Sequence, residues 1–143
     1  MTTGKMQVIG YSGTPLLTKL GIIPECSLIV LDDPGHAEAL LGTLPDGVRV
    51  RRRLSGSADV VLVFARTRLA VTRRVPALWS VLAPAGALWV CWPKKSSPLW
   101  TGISEQDWRD DLLPTGMVDV KVCAMDADWS GLKFVIRKHL RNQ

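Results

Sequence analysis

The sequence has few of the residues that form metal sites or disulfides. Its three cysteines, Cys26, Cys91 and Cys123, form no Cys-x-x-Cys pair, and its two histidines, His36 and His139, lie near none of them in the sequence. A zinc site needs such ligands at regular spacing. An odd number of unpaired cysteines is typical of reduced thiols in a cytoplasmic protein. We therefore expect no metal, no disulfide and a cytoplasmic location.

The sequence also lacks a membrane-spanning segment. Residues 75–93 carry no charge, but Pro76, Pro84 and Gly86 interrupt them. A spanning helix needs about 20 continuous apolar residues. The N-terminus has no basic patch followed by an apolar run, so it does not resemble a signal peptide. We expect no contact with a membrane.

The composition indicates one globular domain. Apolar residues make up 47% of the 143 residues and charged residues 22%, which argues against a disordered chain. A chain of this length buries roughly 70% of its unfolded surface and needs no metal or disulfide. There is no internal repeat and no low-complexity segment. We predict a single domain over residues 1–143, with flexible ends at residues 1–8 and 140–143.

The net charge of +5 is unevenly placed along the chain. Basic residues cluster at positions 49–53, 66–68, 73–74 and 94–95. A basic protein attracts anions, including phosphates and nucleic acid. The alternative is that these clusters are solvated faces. Nucleic-acid binding is the weaker hypothesis, because the arginines are not interleaved with aromatic residues that could stack on bases and no recognition helix is visible.

Apolar runs alternate with helical patterns along most of the chain. Strands are predicted at residues 27–32, 48–54, 58–65 and 87–92, the second of them as an arginine-rich edge strand. Helices are predicted around residues 14–21, 36–41, 69–82 and after Ser104, the third in two pieces because of Pro76. Alternating apolar residues at 118–125 and 131–137 predict a closing antiparallel hairpin. This alternation predicts the α/β fold class, a three-layer, mainly parallel sheet with a C-terminal antiparallel hairpin.

Several segments resemble a shortened class I methyltransferase-type Rossmann fold. Leu28-Ile-Val-Leu-Asp32 matches its first strand, Asp59-Val-Val-Leu-Val63 its fourth, and Leu82-Ala-Pro-Ala-Gly-Ala-Leu-Trp89 the turn into its fifth. Three further segments resemble a bacterial family of small uncharacterised proteins, a domain of unknown function; they are Gly10-Tyr-Ser-Gly-Thr-Pro15, Trp92-Pro-Lys-Lys-Ser-Ser97 and Trp129-Ser-Gly-Leu-Lys-Phe-Val-Ile-Arg-Lys138. The second resemblance implies no activity.

The cofactor machinery of that fold is missing from the sequence. The loop after the first strand, Asp32-Asp33-Pro34-Gly35-His36, has a single glycine, whereas the fold uses several for close approach to the ligand. The second strand ends in Arg51, Arg52 and Arg53 rather than in an acid for the ribose. There is also no room for a third helix–strand unit. We therefore predict no cofactor, with S-adenosylmethionine as the alternative.

Ligands of open α/β sheets bind outside the carboxyl ends of the strands. The residues expected at that edge are Tyr11, Ser12, Asp32, Arg66, Trp92, Lys94, Lys95, Ser96 and Ser97. Lysine ammonium and serine hydroxyl groups suit phosphate or carboxylate, and Trp92 could stack on a flat ligand. The alternative is that Lys94–Ser97 is a solvated turn and that Trp92 belongs to the core.

These residues favour a non-catalytic domain that binds a small anionic ligand or a partner on a degenerate methyltransferase-like scaffold. The alternative is an enzyme, an S-adenosylmethionine-dependent or other small-substrate transferase, that uses the Lys94–Ser97 edge. Nucleic-acid binding is the second alternative. No catalytic triad can be assembled from the spacing, and His36 and His139 are expected to face solvent. The terminal hairpin could form a homodimer.

Overall fold

The computed structural model describes residues 15–141. The six strands in this range form a single sheet. The strands are β1 (Ser27–Leu31), β2 (Arg49–Arg51), β3 (Ala58–Phe64), β4 (Leu82–Pro93), β5 (Met117–Ala124) and β6 (Trp129–Ile136). Their order across the sheet is β2-β1-β3-β4-β6-β5. The first four are mutually parallel, and β6 runs antiparallel to both β4 and β5. The predicted parallel sheet with a terminal hairpin is confirmed.

Helices cover both faces of the sheet. They are α1 (Leu16–Leu20), α2 (Ala37–Leu41), α3 (Leu69–Thr72), α4 (Val75–Val81) and α5 (Glu105–Leu112). Residues of α1 and α2 pack into one core cluster with Trp89, whereas α3, α4 and α5 contribute to a second cluster that contains Trp108. The two clusters lie on opposite faces because successive strand residues alternate between faces. The three-layer prediction is therefore confirmed. None of the described helices is long and apolar enough to cross a membrane.

Local signals set several element boundaries where the sequence places them. Ser104 and Asp107 form a reciprocal capping box at the start of α5, which satisfies backbone N–H groups that the first turn leaves unpaired. Gly21 ends α1 with a left-handed φ of 82°. The predicted break near Pro76 is confirmed, since α3 ends at Thr72 and α4 starts at Val75. These signals act within a few residues and are readable without the fold.

The strand β2 is shorter than predicted. Pairing covers Arg49–Arg51 alone, instead of residues 48–54. The Arg51 guanidinium donates to the Ser27 hydroxyl and to the carbonyl oxygens of Ser55 and Ser57. These bonds connect the end of β2 to residues 55–57, and the residues between them, 52–54, are bends and not strand. The edge position of β2 is confirmed, because no strand pairs with its outer side among residues 15–141.

The strand β4 starts earlier than predicted. It begins at Leu82, where Leu82 pairs with Ala58, and it continues after a register shift to Pro93. We expected a turn at residues 84–86 and a strand at 87–92. The pairing reaches back because Gly86 has no side chain: a Cβ there would lie 2.9 Å from the Ala58 carbonyl oxygen. Trp89 is fully buried, as predicted.

The outer strand β5 departs from the expected pattern. Val120 and Val122 are 51% and 50% exposed, although their alternation predicts a buried face. A register shift lies between Asp119 and Lys121, and it changes the alternation of side chains between the faces. The partner strand β6 alternates as predicted, with Leu132, Phe134 and Ile136 buried.

Candidate ligand-binding site

A cavity of about 390 Å³ opens where the carboxyl ends of β1 and β3 meet. Its lining residues are Asp32, Pro34, Phe64, Arg66, Thr67, Ala70 and Trp129. β2, which follows β1 in the chain, pairs with one side of β1, and β3 pairs with the other side. Such a change of direction separates the two connecting loops and leaves a crevice between them. We call this crevice the switch cavity.

Asp32 follows β1 directly and has a positive φ of 55°, a conformation that aspartate tolerates better than most residues. Both of its carboxylate oxygens accept hydrogen bonds from the Arg74 guanidinium, at 2.6 and 3.0 Å. The hydrogen bond from Arg74 is the main reason that the pKa of Asp32 is lowered, and it outweighs the opposing effect of burial. Asp32 therefore carries a negative charge at the rim of the switch cavity.

Both carboxylate oxygens of Asp33 accept hydrogen bonds from groups of the protein itself. Its Oδ1 accepts from the backbone N–H groups of Gly35, His36 and Ala37, at 2.8, 3.1 and 3.0 Å. Its Oδ2 accepts from Arg52 at 2.8 Å. Burial favours the neutral carboxyl, but the hydrogen bonds from Arg52, Gly35 and Ala37 outweigh it and lower the pKa of Asp33 to about 2. The N-terminus of α2 thus already holds an anion.

The loop after β3 supplies a cation to the same cavity. The Arg66 guanidinium carbon lies 5.8 Å from the centre of the Trp129 ring, within the range of a cation–π contact. No carboxylate of residues 15–141 forms an ion pair with Arg66. The neighbouring Thr67 hydroxyl accepts from the Ala70 N–H at the start of α3. Arg66 is therefore the cation of the cavity whose charge no described acid neutralises.

Two rings line the cavity on the hairpin side, those of Phe64 and Trp129, and the His36 ring packs against both. The rings of Phe64 and Trp129 meet edge-on at 5.4 Å, and the His36 ring lies 5.8 Å from Phe64 and 6.0 Å from Trp129. The Nε2 atom of His36 is 3.2 Å from Asp126, whose other oxygen accepts the backbone N–H groups of Asp128 and Trp129. His36 was expected to face solvent, but only 34% of its side chain does, because the ring packs against Phe64 and Trp129 and contacts Asp126.

The structure brings two of the predicted site residues together, Asp32 and Arg66. The segment Lys94–Ser97 does not line the switch cavity. Lys95 and Ser96 are exposed, and the Lys94 N–H donates to the Asp128 carbonyl oxygen. Ser97 is buried: its hydroxyl donates to the Asp128 carboxylate at 2.8 Å and accepts from the Leu99 N–H. The Ser97 hydroxyl thus holds two loops together.

The remaining predicted residues lie elsewhere. Trp92 is buried in the core cluster on the α5 side, where its ring meets that of Trp108 at 6.2 Å. It lies on the opposite face of the sheet from Trp129. Tyr11 and Ser12 lie outside the described residues.

Sequence reasoning missed Trp129, Phe64 and Arg74. A signal for Trp129 was present, because a strand antiparallel to β4 must begin at the carboxyl edge where β4 ends. The structure pairs Trp129 with Pro93, the last residue of β4. Phe64 ends β3 and could have been placed by the same argument. Arg74 carries no comparable signal, since its partner Asp32 is 42 positions away in the chain.

Among the residues that the structure describes, neither a cluster of metal ligands nor a reactive thiol lies at this site. Within the described part of the chain, no group of three or more His, Cys, Asp or Glu side chains could hold a metal ion. Cys91 is fully buried, and burial raises the pKa of its thiol well above the usual range. A thiol of that kind is not a nucleophile at neutral pH.

Solved structures similar to this chain include several methyltransferases. A SAM-dependent methyltransferase from Aquifex aeolicus has a TM-score of 0.59 and 12% identity, over 84% of this chain and 87% of that one. A TehB-like SAM-dependent methyltransferase from Corynebacterium glutamicum has a TM-score of 0.56 and 9% identity, over 85% of each chain. The DhpI–SAH complex has a TM-score of 0.56 and 12% identity, over 84% of this chain and 81% of that one.

These likenesses define the fold. No family model matches the chain, and no curated protein matches it. At such low identity, a shared fold does not carry the function with it. The protein has a methyltransferase-like Rossmann fold, and the strand order together with the antiparallel final pair agrees with that assignment. Its resemblance to the small bacterial family stays a prediction.

Proposed function

We propose that this protein binds S-adenosylmethionine, or a sulfonium amino acid like it, through the switch cavity and works as a small-substrate transferase. The observation that carries the proposal is a pair of opposite charges, Asp32 and Arg66, lining one cavity at the point where the strand order changes direction. Ligands of open α/β sheets bind at that point. The methyltransferases with the same fold support the proposal.

The cavity suits the charged end of such a ligand. The Asp32 carboxylate can accept from an ammonium group in addition to Arg74, since each of its oxygens has two lone pairs. The Arg66 guanidinium can pair with a carboxylate. Aromatic rings attract a cation such as a sulfonium, and the rings of Phe64 and Trp129 line the cavity. A volume of about 390 Å³ is at the lower end of the range for small-molecule sites.

The nucleoside end of the cofactor does not fit the way the fold usually binds it. Asp33 occupies the N-terminus of α2, and Arg52 is paired with Asp33. The strand β2 ends in Arg51, whose guanidinium bonds to Ser27, Ser55 and Ser57, so no acid is placed there for the ribose. S-Adenosylmethionine supplies an electrophilic methyl group when it is bound. This chain's own residues account for holding its amino-acid end.

The poor fit at α2 favours a second candidate, a non-catalytic domain that binds a small zwitterion or anion in the same cavity. In that case Asp32 and Arg66 recognise an amino-acid-like ligand, and no nucleoside is needed. Anion binding, nucleic-acid binding, dimerisation and a cytoplasmic location stay predictions.

Isothermal titration calorimetry with four probes separates the two candidates. The probes are S-adenosylmethionine, S-adenosylhomocysteine, methionine and adenosine. A transferase should bind the two adenosyl compounds at least about tenfold more tightly than methionine, a difference of about 1.4 kcal/mol. A zwitterion-binding domain should bind methionine and S-adenosylmethionine about equally, and adenosine not at all.

Two variants test whether the probes bind in the switch cavity. Arg66→Ala should weaken the binding of every probe that carries a carboxylate, because Arg66 is the cation of the cavity without an acidic partner among the described residues. Arg49→Ala is the matched control, since Arg49 is an exposed arginine at the amino end of β2, away from the cavity. Absence of binding for all four probes contradicts both candidates.

A further inference from the structure

A second concave surface lies on the far side of the sheet from β2. It has a volume of about 430 Å³ and is lined by Thr18 and Lys19 of α1 and by Lys121, Val122, Cys123 and Ala124 of β5. Together with the neighbouring Val120 and Lys133, we call it the lysine edge. None of the residues that line the switch cavity belongs to it.

The lysine edge concentrates positive charge. Lys121 and Lys133 are direct cross-strand partners in the pairing of β5 with β6, an arrangement in which like charges destabilise a sheet. Burial lowers the pKa of the Lys133 ammonium group, and the nearby charge of Lys121 lowers it further. Burial raises the pKa of the Cys123 thiol, and the charges of Lys19 and Lys121, which line the same surface, oppose that rise. A negatively charged group bound here would relieve the repulsion between Lys121 and Lys133.

The same surface offers backbone and apolar contacts. Strand β5 is eight residues long, and its outer side pairs with no other strand in the part of the chain that the structure describes. An open edge presents N–H and C=O groups to an incoming strand. Val120 and Val122 on this strand are half exposed, so an incoming segment could also bury apolar side chains.

We propose that the lysine edge binds an acidic, extended segment of a partner polypeptide, which adds a strand to β5. Strand addition satisfies the open backbone groups. Acidic side chains of the segment pair with Lys121 and Lys133, and apolar side chains cover Val120 and Val122. A segment of this kind would contact all three features of the surface, the lysines, the open strand edge and the exposed valines.

Other occupants use fewer of these features. A second copy that paired through β5 would bring Lys121 toward the lysines of its partner. Residues 1–14 of this chain include Lys5 and no acid, so they do not complement the charge. A small anion would leave the strand edge and the valines uncovered. A single-stranded nucleic acid would find no aromatic ring for base stacking among the lining residues.

The test measures the fluorescence anisotropy of a fluorescein-labelled peptide of alternating glutamate and valine, eight residues long to match β5. We expect Lys121→Glu to weaken its binding at least about tenfold, since a favourable charge pair becomes a repulsive one. The matched control is Arg49→Glu, which makes the same charge change at an exposed position of the other edge strand. It should change the affinity by less than about twofold.

Two further peptides test the mode of binding. A peptide with proline in place of valine keeps the charge but lacks half of the backbone N–H donors, and it should bind at least about tenfold more weakly. The glutamate–valine peptide should also slow amide hydrogen exchange in β5. A lysine–valine peptide should not bind.

Four outcomes would overturn the proposal. They are equal weakening by Lys121→Glu and Arg49→Glu, equal binding of the proline peptide, no binding at about millimolar protein, and unchanged exchange in β5. Tighter binding of inorganic pyrophosphate or oligo(dT) at the same lysines would assign the surface to a small anion or to nucleic acid instead.

Discussion

The loops after β1 and β3 both end at the switch cavity, but they use their charges differently. After β1, Asp32 is paired with Arg74, while Asp33 caps α2 and pairs with Arg52. After β3, Arg66 lies over the Trp129 ring and forms no ion pair with an acid among the described residues. In the first loop Asp33 bonds only within the protein, and Asp32 keeps lone pairs for a ligand besides its ion pair with Arg74. In the second loop Arg68 pairs with Asp107 and Asp111, whereas the charge of Arg66 is available for a ligand.

This difference predicts which residues of the two loops contribute to the stability of the protein and which contribute to ligand binding. A residue with several partners inside the protein contributes mainly to folding, and its removal leaves those partners unsatisfied. A charged residue beside a cavity without such partners contributes mainly to recognition. Substitutions in the two loops should therefore affect different measurements, and a result that mixed the two would break the comparison.

The largest effect is expected for Asp33→Ala. This change removes the acceptor for three backbone N–H groups and the partner of Arg52, so the free energy of unfolding should fall by about 2 to 3 kcal/mol. Urea denaturation measures the change. Asp33→Asn is the control, because it keeps a capping oxygen and should cost only about 1 kcal/mol. Equal losses for the two variants would show that capping is not the cause.

Arg66→Ala should have the opposite effect, a small change in stability and a large loss of ligand affinity. Losing the contact with Trp129 costs at most about 1 kcal/mol of stability, whereas affinity for a carboxylate ligand that binds in the switch cavity should fall at least about tenfold. Denaturation and calorimetry on the same variant measure the two effects. A large loss of stability with unchanged affinity would place Arg66 with the structural residues.

At acidic pH, Asp33 should lose the part of its contribution to the free energy of unfolding that depends on its negative charge. Its pKa is about 2 in the folded protein and about 3.9 in an unfolded chain. A carboxyl whose folded pKa is lowered stabilises the protein above its unfolded pKa, and this stabilisation is lost as the pH falls through the folded pKa. The difference of about 1 kcal/mol between the wild type and Asp33→Asn should therefore persist at pH 5, shrink as the pH falls below about 4, and vanish only below about pH 2. A constant difference would argue against the ion pair.

The smallest effect is expected for the double variant Lys94→Ala, Lys95→Ala. Lys95 is exposed, and neither lysine lines the switch cavity. Stability should change by less than about 0.5 kcal/mol, and affinity for a ligand of the cavity should be unchanged. A loss of affinity comparable to that of Arg66→Ala would move the binding site to the Lys94–Ser97 edge.

Part of this site could be predicted from the sequence. Asp32 and Arg66 follow apolar runs that are buried on both faces, and the carboxyl ends of parallel strands meet at one edge. Ser97 was placed at the same edge, but its hydroxyl bonds to Asp128, 31 positions away in the chain. Trp92 follows the same rule along the chain, yet the alternation of β4 directs it into the core. Position along a strand is thus easier to predict than the partner of a side chain.

The sequence by itself determined which segments are strands and helices, and that the sheet is mainly parallel with a terminal hairpin. Periodicity and capping residues act over a few positions, so they can be read locally. Only the tertiary structure decided that Trp129 faces Arg66, that Arg51 ends β2, and that Lys121 lies opposite Lys133. These contacts depend on strand order and register, which bring together residues far apart in the chain. The two candidate binding surfaces are made of such contacts.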